Sequence, residues 1–209
     1  GSGLATVGTQ PDQLESMARD SYEPMVKPLL TADRFSPLDA GFLREYDSVV
    51  IGPGFTLGEV GGQMVCALIE AIRVPGVVDA DGLNHLVGNL HLLHPGNWVL
   101  TPHPGEAARL LRVSTSEVQA NRFQALEALV AASKSVVVLK GAHTLIGSPD
   151  GEIGICPAGN PGMASAGMGD VLAGIIGAIL GRGVSPSRAA RAGVLWHAQA
   201  GDDRLVCRR

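Results

Sequence analysis

The chain has 209 residues, of which 45% are apolar and 17% are charged, with 28 glycines and a formal net charge of −4. This length fits one domain that buries a sizeable core, and we predict a single domain over residues 1–209. The acidic balance argues against a nucleic-acid partner, because a protein that binds the phosphate backbone needs a basic face.

Apolar runs alternate with helical patterns along the chain, which predicts an α/β fold with a mostly parallel sheet flanked by helices on both faces. The strand candidates are Ser48–Ile51, Gly76–Asp79, Trp98–Thr101 and Val136–Lys140. The last of them is a β-branched run of the kind that is buried on both sides. A weaker hairpin pairs Thr144–Ile146 with Ile153–Cys156 across a turn-rich segment.

The helix candidates are Gly61–Ile72, Gly105–Leu111, Ser116–Ala132, Asp170–Leu180 and Ser187–Ala200. Ser114–Ser116, followed by Glu117, offers an N-cap cluster for the third of these helices. The strand candidates that precede them end in turns rich in glycine, proline, aspartate and histidine. Ligands bind beyond the carboxyl ends of strands in open parallel sheets, so we expect the chemistry to lie in those turns.

Cysteine usage and hydropathy predict a cytoplasmic protein with no membrane partner. Cys66, Cys156 and Cys207 lie far apart and show no metal-ligand spacing, as expected of a chain in a reducing compartment. The longest small-apolar run, Val171–Leu180, is too short to span a bilayer. Residues 1–10 carry neither the basic start nor the apolar stretch of a signal peptide.

Gly159–Asp170 is the most informative segment, because its small residues end in G-x-G-D at the start of a predicted helix. Such a segment exposes backbone N–H groups at the positive end of the helix dipole, which suits a phosphate. A carboxylate there would repel a bare phosphate, so Asp170 fits a general base that takes a proton from a hydroxyl attacking a phosphoryl group. The alternative is that Asp170 is only an N-cap beside glycines that allow tight packing.

Three other turns carry polar groups, and each has a structural alternative. His103 could hydrogen-bond a substrate and Glu106 could hold a water on Mg²⁺, or both could belong to a proline-capped turn that begins a helix. Asp79 and Asp81 alternate onto one side of a strand end, which suits metal-bound water or substrate hydroxyls, although an Asx turn fits as well. Lys140 could meet nucleotide phosphates, but a lone lysine at a strand end is usually solvated.

Two common nucleotide-binding motifs are absent from the sequence. No segment reads G-x-x-x-x-G-K-[ST], which excludes a P-loop enzyme. Gly52, Gly54 and Gly58 form G-x-G-x-x-x-G, which misses the dinucleotide-binding fingerprint by one residue.

Five segments in order resemble the ADP/ATP-dependent NAD(P)H-hydrate dehydratase family, over a stretch from about residue 47 to Asp202. They are I-G-P-G at 51–54, D-A-D-G-L-N at 79–84, L-T-P-H-P-G-E at 100–106, L-K-G-A-x-T at 139–144 and G-N-P-G-M-A-S-A-G-M-G-D-V-L-A-G at 159–174. Each segment alone is modest evidence for the family, but five such segments in this order are specific for it. The resemblance implies a three-layer ribokinase-like fold that binds nucleotide at the carboxyl ends of the strands.

The resemblance further implies phosphorylation of the hydroxyl of hydrated NADH or NADPH, followed by elimination of phosphate. The residues of the last segment favour ADP over ATP as the nucleotide. The resemblance also implies Mg²⁺ as cofactor. The catalytic base would be Asp170, and Glu106 would organise Mg²⁺ through water. The implied substrate contacts are Gly54, Asp81, Asn84, His103 and Asp170, and the implied nucleotide contacts are Lys140, Gly141, Ala142, His143, Thr144, Gly167 and Gly169.

The resemblance also implies a homo-oligomer, a tetramer or larger. We expect the chain to lack the family's first strand–turn–helix unit, its last helix and the epimerase domain of many bacterial members. Phe55 follows Gly54 where the family usually has leucine, and Ala166 replaces a frequent glycine. A small-molecule kinase of the thiazole-alcohol type and a non-catalytic nucleotide-binding remnant are the alternative functions.

Overall fold

The computed structural model describes residues 3–9, 14–20, 24–28, 45–55 and 57–206. The chain begins with β1 (Thr6–Thr9), α1 (Leu14–Asp20) and β2 (Met25–Pro28). Strands β1 and β2 pair in parallel and form a two-stranded sheet of their own. The sequence patterns did not predict this unit, because its strands are short and only partly buried.

A six-stranded sheet forms the centre of the fold, with its strands in chain order. Its strands are β3 (Val49–Ile51), β4 (Gly76–Val78), β5 (Trp98–Leu100), β6 (Val136–Leu139), β7 (Leu145–Gly147) and β8 (Ile153–Ile155). The first four pair in parallel, and β7 and β8 add an antiparallel hairpin at one edge. The predicted strands, the hairpin and the mostly parallel sheet are therefore confirmed, with boundaries that differ by a residue or so.

Seven further helices connect and cover these strands within the described ranges. They are α2 (Glu59–Ala71), α3 (Asp81–His85), α4 (Pro104–Leu111), α5 (Thr115–Ala120), α6 (Arg122–Ser133), α7 (Met168–Leu180) and α8 (Pro186–Val206). The last helix continues past its predicted end at Ala200. A search of the described residues finds no helix long and apolar enough to cross a membrane.

The prediction of one continuous helix over Ser116–Ala132 is wrong, because the helix breaks at Asn121. The backbone there is not helical, with φ −144° and ψ 78°, and the Asn121 side chain accepts a hydrogen bond from the N–H of Gln124 at 3.1 Å. Asparagine competes with the helix by bonding nearby backbone in this way. Ser114 caps α5 as expected, in a reciprocal pair with Glu117 whose hydrogen bonds lower the pKa of the Glu117 carboxyl.

Two apolar cores lie on the two faces of the sheet, because side chains alternate along each strand. On β6, Val136 and Val138 pack in the core formed with α7 and α8, whereas Val137 and Leu139 pack in the core formed with α2, α4 and α6. All four residues of this strand are buried. The prediction of helices on both faces is therefore confirmed, and the carboxyl ends of β3–β6 lie along one edge between the two layers.

Candidate active site

A buried ion pair connects the carboxyl ends of two strands of the main sheet. Lys140 follows β6, and its Nζ lies 2.7 Å from Asp79 Oδ1 at the end of β4. The same Nζ lies 3.8 Å from Glu106 Oε2 in the first turn of α4. The Asp79 side chain is 1% exposed and that of Lys140 is 19% exposed. Lys140 is therefore held by buried carboxylates and is not a solvated lysine at a strand end.

The first turn of α7 lies against this ion pair. A Cβ atom added at Gly169 would stand 3.2 Å from Lys140 Nζ and 3.5 Å from Asp79 Oδ2. A glycine therefore lets the backbone of α7 approach the lysine closely. The predicted phosphate-binding segment and Lys140 are thus brought together, with a helix N-terminus and an ammonium group side by side.

Asp170 is free for chemistry at the start of α7. The N-cap of this helix is Gly167, with φ 82°, so the alternative that Asp170 is the N-cap is wrong. The Asp170 side chain is exposed, and the structure records no hydrogen bond or ion pair between it and a described residue. An accessible carboxylate beside a phosphate site is what a general base requires.

His103 and Glu106 form a capping box at the start of α4, as the structural alternative predicts. His103 Nδ1 accepts from the N–H groups of Gly105 at 3.0 Å and Glu106 at 3.4 Å, while Glu106 Oε2 accepts from the N–H of His103 at 2.7 Å. Burial raises the pKa of the Glu106 carboxyl, and burial also lowers the pKa of the His103 ring. The imidazole is half exposed, so it can still contact a ligand.

Asp81 and Asn84 belong to a separate hydrogen-bonded chain. Ala80, with φ 49°, turns the backbone so that α3 begins at Asp81. The expectation that Asp79 and Asp81 alternate onto one side of the strand end is therefore wrong, because β4 ends at Val78 and Asp81 is already the first residue of α3. Asp81 Oδ1 accepts from Asn84 Nδ2 at 3.2 Å, and Asn84 Oδ1 accepts from Arg109 Nε at 2.7 Å.

Arg122, which the sequence analysis missed, holds the turn that was assigned to the nucleotide. Its guanidinium donates to the carbonyl oxygens of Leu139 at 3.0 Å, Lys140 at 3.3 Å and Ala142. Burial lowers the pKa of the Arg122 guanidinium. Gly141 (φ 139°) and His143 (φ 53°) give this turn its shape, and Thr144 Oγ1 donates to the carbonyl of Gly141 at 3.0 Å. No local pattern signals Arg122, because its partners lie at and just after the end of a later strand, β6.

The turn after β3 packs against the base of the site. A Cβ at Gly52 would stand 1.8 Å from the carbonyl oxygen of Asp79, and Gly52 has φ 127°. Gly54, with φ 79°, is exposed, and a Cβ there would meet nothing within 4 Å. A cavity of about 480 Å³ is lined in part by Gly52, Phe55 and Gly174. The backbone of Gly54 is therefore open to a ligand, as its predicted role requires.

Asp202, far along the chain on α8, fixes the start of the glycine-rich loop. Its carboxylate accepts from the N–H of Gly159 and from Asn160 Nδ2, both at 2.9 Å. These hydrogen bonds lower the pKa of the Asp202 carboxyl. The loop that leads into α7 is therefore tied to the neighbouring helix, a link that the sequence did not predict.

The carboxylates of Asp79 and Glu106 suit a magnesium ion that is held partly by phosphates of a ligand. They do not by themselves form a metal site made only of protein groups. Among the described residues, no group of three or more histidine, cysteine, aspartate or glutamate side chains could hold a metal. Mg²⁺ is usually bound by one or two carboxylates together with waters and substrate phosphates. Asp79 and Glu106 offer hard oxygen donors beside Lys140 and fit that pattern.

We expect Asp79→Asn to lower the free energy of unfolding by about 3 kcal/mol, because removing one partner leaves a poorly solvated charge on Lys140. Urea unfolding followed by circular dichroism measures the change. Glu152→Gln is the matched control, since it breaks the exposed Arg191–Glu152 pair of 2.6 Å and should cost less than about 1 kcal/mol. Equal losses in the two variants would contradict the structural importance of the Asp79–Lys140 pair.

The sequence profile of the NAD(P)H-hydrate dehydratase family matches residues 1–206. The bifunctional NAD(P)H-hydrate repair enzyme of Coxiella burnetii is 42% identical over 97% of this chain, and the ADP-dependent (S)-NAD(P)H-hydrate dehydratase of Neisseria meningitidis is 42% identical over 76% of it. The chain spans 40% and 55% of the lengths of these two relatives.

Solved structures share the fold. The ADP/ATP-dependent NAD(P)H-hydrate dehydratase of Bacillus subtilis, co-crystallised with ATP and Mg²⁺ and soaked with CoA, superposes with a TM-score of 0.77 at 29% identity, over 94% of this chain and 70% of that one. A ribokinase-like superfamily protein from Enterococcus faecalis superposes with a TM-score of 0.82 at 29% identity, over 97% and 69%. The predicted ribokinase-like fold is thus confirmed.

Proposed function

The chain belongs to the NAD(P)H-hydrate dehydratase family, and we propose on this basis that it is an ADP-dependent (S)-NAD(P)H-hydrate dehydratase, a hydro-lyase. The observation that carries the proposal is the junction of α7 with the buried ion pair. There Gly169 lies against Lys140, and the free carboxylate of Asp170 stands one residue further along the helix. This junction combines groups that hold a phosphate with a group that takes a proton.

The reaction begins at the hydroxyl group of the hydrated nicotinamide ring. Asp170 takes the hydroxyl proton as the oxygen attacks the terminal phosphoryl group of ADP, and AMP leaves. The carbon–oxygen bond then breaks, the phosphate leaves with that oxygen, and a proton is lost from the neighbouring carbon. The double bond of NADH or NADPH is thereby restored.

We assign the other residues of the site to the hydrate, the nucleotide and the transferred phosphate. Gly54 and His103 contact the hydrate, together with Asp81 and Asn84. The backbone of residues 140–144 lines the nucleotide, and its shape depends on Arg122. Gly167 and Gly169 present N–H groups to phosphate at the start of α7. Lys140 adds a cation, which offsets the charge that accumulates on the transferred phosphoryl group.

Mg²⁺ is the metal that this donor set supports. Glu106 would hold it through water, with the nucleotide phosphates as its other ligands, and the ion would neutralise phosphate charge. We propose ADP as the physiological nucleotide, in line with the name of the Neisseria meningitidis relative. A cytoplasmic location and assembly into a tetramer or larger complete the proposal.

Purified protein should regenerate absorbance at 340 nm from NADH hydrate when Mg²⁺ and ADP are present, and should release inorganic phosphate in equal amount. The same reaction with ATP in place of ADP tests the nucleotide preference. A small-molecule kinase would leave a stable phosphoester and no gain at 340 nm, and a non-catalytic remnant would bind nucleotide without turnover. Either of these results would contradict the proposed dehydratase.

A further inference from the structure

Arg109 on α4 is anchored at one nitrogen of its guanidinium. Its Nε donates to Asn84 Oδ1 at 2.7 Å, and Asn84 in turn donates to Asp81 Oδ1 at 3.2 Å. The structure records no ion pair for Arg109, and no other hydrogen bond from its guanidinium to a described residue. Arg109 is also exposed. The two terminal nitrogens, Nη1 and Nη2, are therefore held in place by the anchored Nε. Their N–H groups have no recorded partner among the described residues and can bind a ligand.

The anchored guanidinium is directed toward the site and away from the end of its own helix. Side chains of a helix lean toward its N-terminus, and Arg109 follows this rule: its Nη1 would lie 3.8 Å from a Cβ added at Gly105. The same added Cβ would lie 2.8 Å from His103 Cε1. The guanidinium and the imidazole therefore flank one stretch of backbone at the start of α4.

These contacts extend the site into a continuous line of polar groups along the edge of the sheet. Gly169 meets Lys140, Lys140 approaches Glu106, Glu106 pairs with His103, and Gly105 lies between His103 and Arg109. Arg109 stands at the far end of this line from the base Asp170. A substrate whose reacting ring lies near Asp170 and His103 needs a second, distant anchor if it is a dinucleotide.

We propose that Arg109 binds a phosphate group of the dinucleotide hydrate and acts as a specificity residue of the site. This inference rests on the proposed function. An anchored guanidinium presents its remaining N–H groups in a planar fork that matches two phosphate oxygens. The phosphate has two sources, the pyrophosphate that both hydrates carry and the 2′-phosphate that only the NADPH hydrate carries.

Steady-state kinetics of Arg109→Gln with both hydrates tests the proposal. We expect KM for the hydrate to rise roughly tenfold or more, as for loss of a charged hydrogen bond, with kcat and KM for ADP nearly unchanged. The salt dependence of KM should also weaken, because one charge–charge contact is gone. A rise for both hydrates identifies the pyrophosphate, and a rise for the NADPH hydrate alone identifies the 2′-phosphate.

Two companion variants separate binding from folding. Arg182→Gln removes an exposed arginine two residues past the carboxyl end of α7. The structure records no partner for its side chain among the described residues, so KM for either hydrate should be unchanged. Arg109→Lys keeps the positive charge but loses the planar fork of N–H groups, so its KM for the hydrate should lie between those of the wild type and Arg109→Gln. If Arg109→Gln does not fold, Arg109→Lys takes its place in the comparison with the wild type. Unchanged hydrate KM values in the folded Arg109 variants would overturn the proposal.

Equilibrium dialysis with unreacted NADPH and NADH keeps the two proposals distinguishable. If the wild type fails to turn over either hydrate, the proposed dehydratase fails, but dialysis still compares dinucleotide affinity between the wild type and Arg109→Gln. A roughly tenfold weaker affinity in the variant supports the phosphate contact independently of turnover. Equal affinities of the wild type and Arg109→Gln would overturn it.

Discussion

Asp170→Asn should lower kcat by a hundredfold or more, with the affinity for ADP retained. The amide keeps the size and the place of the carboxylate in the first turn of α7 but cannot accept the hydroxyl proton, and general-base catalysis contributes about 10²–10⁴-fold. Because the Asp170 side chain is exposed and without a recorded partner, the substitution should leave the fold intact. Stopped assays of NADH hydrate turnover and calorimetric titration with ADP measure the two quantities.

Asp203→Asn is the matched control for Asp170→Asn. It changes the net charge by the same amount at another exposed aspartate, on α8, and should leave kcat unchanged. A fall in ADP affinity that accompanies the fall in kcat would assign Asp170 to nucleotide binding. Unaltered turnover in Asp170→Asn would place the base elsewhere.

Gly52→Ala should destabilise the protein by about 4 kcal/mol or more, a loss of the size that steric overlap in a packed interior produces. The added Cβ would lie 1.8 Å from the carbonyl oxygen of Asp79, which is backbone and has no rotamer to escape into. The φ of 127° is also one that alanine rarely adopts. Urea unfolding followed by circular dichroism gives the free energy directly.

Gly54→Ala is the control in the same turn. Its Cβ would meet nothing within 4 Å, and its φ of 79° adds only the strain of a left-handed backbone. We expect a loss of about 1 kcal/mol for this variant. If Gly52→Ala were as mild as Gly54→Ala, the close approach of the β3 turn to Asp79 would be wrong.

The central sheet could be predicted because each of its strands carries its own signal. β6 is an unbroken apolar run of three valines and a leucine, and the turn after each parallel strand is rich in glycine, proline or polar residues. These are local properties, so periodicity and composition reveal them. Asn121 shows the limit of such reasoning, because the helical sequence pattern continues through it. The helix is interrupted there because the Asn121 side chain accepts a hydrogen bond from the N–H of Gln124 and caps the next helix.

The candidate site was predicted in part. The turns that carry Asp170, His103, Glu106 and Lys140 could be identified, because glycine- and proline-rich turns at strand ends mark the ligand-binding edge. The separation of Asp79 from Asp81 was not foreseen, since it depends on the left-handed backbone of Ala80.

The family, the alternating architecture and the segments in which we expect the chemistry can all be predicted from the amino-acid sequence, because runs of neighbouring residues encode them. Which polar groups meet depends on the three-dimensional packing of the chain: Lys140 contacts Asp79, Arg122 contacts the turn at the end of β6, and Arg109 contacts Asn84. Their partners are distant along the chain, and the parallel crossovers that bring strand ends together leave no trace in local spacing. Hydrogen bonds and ion pairs act over a few ångströms in space, so they form wherever packing of the two apolar cores places the groups.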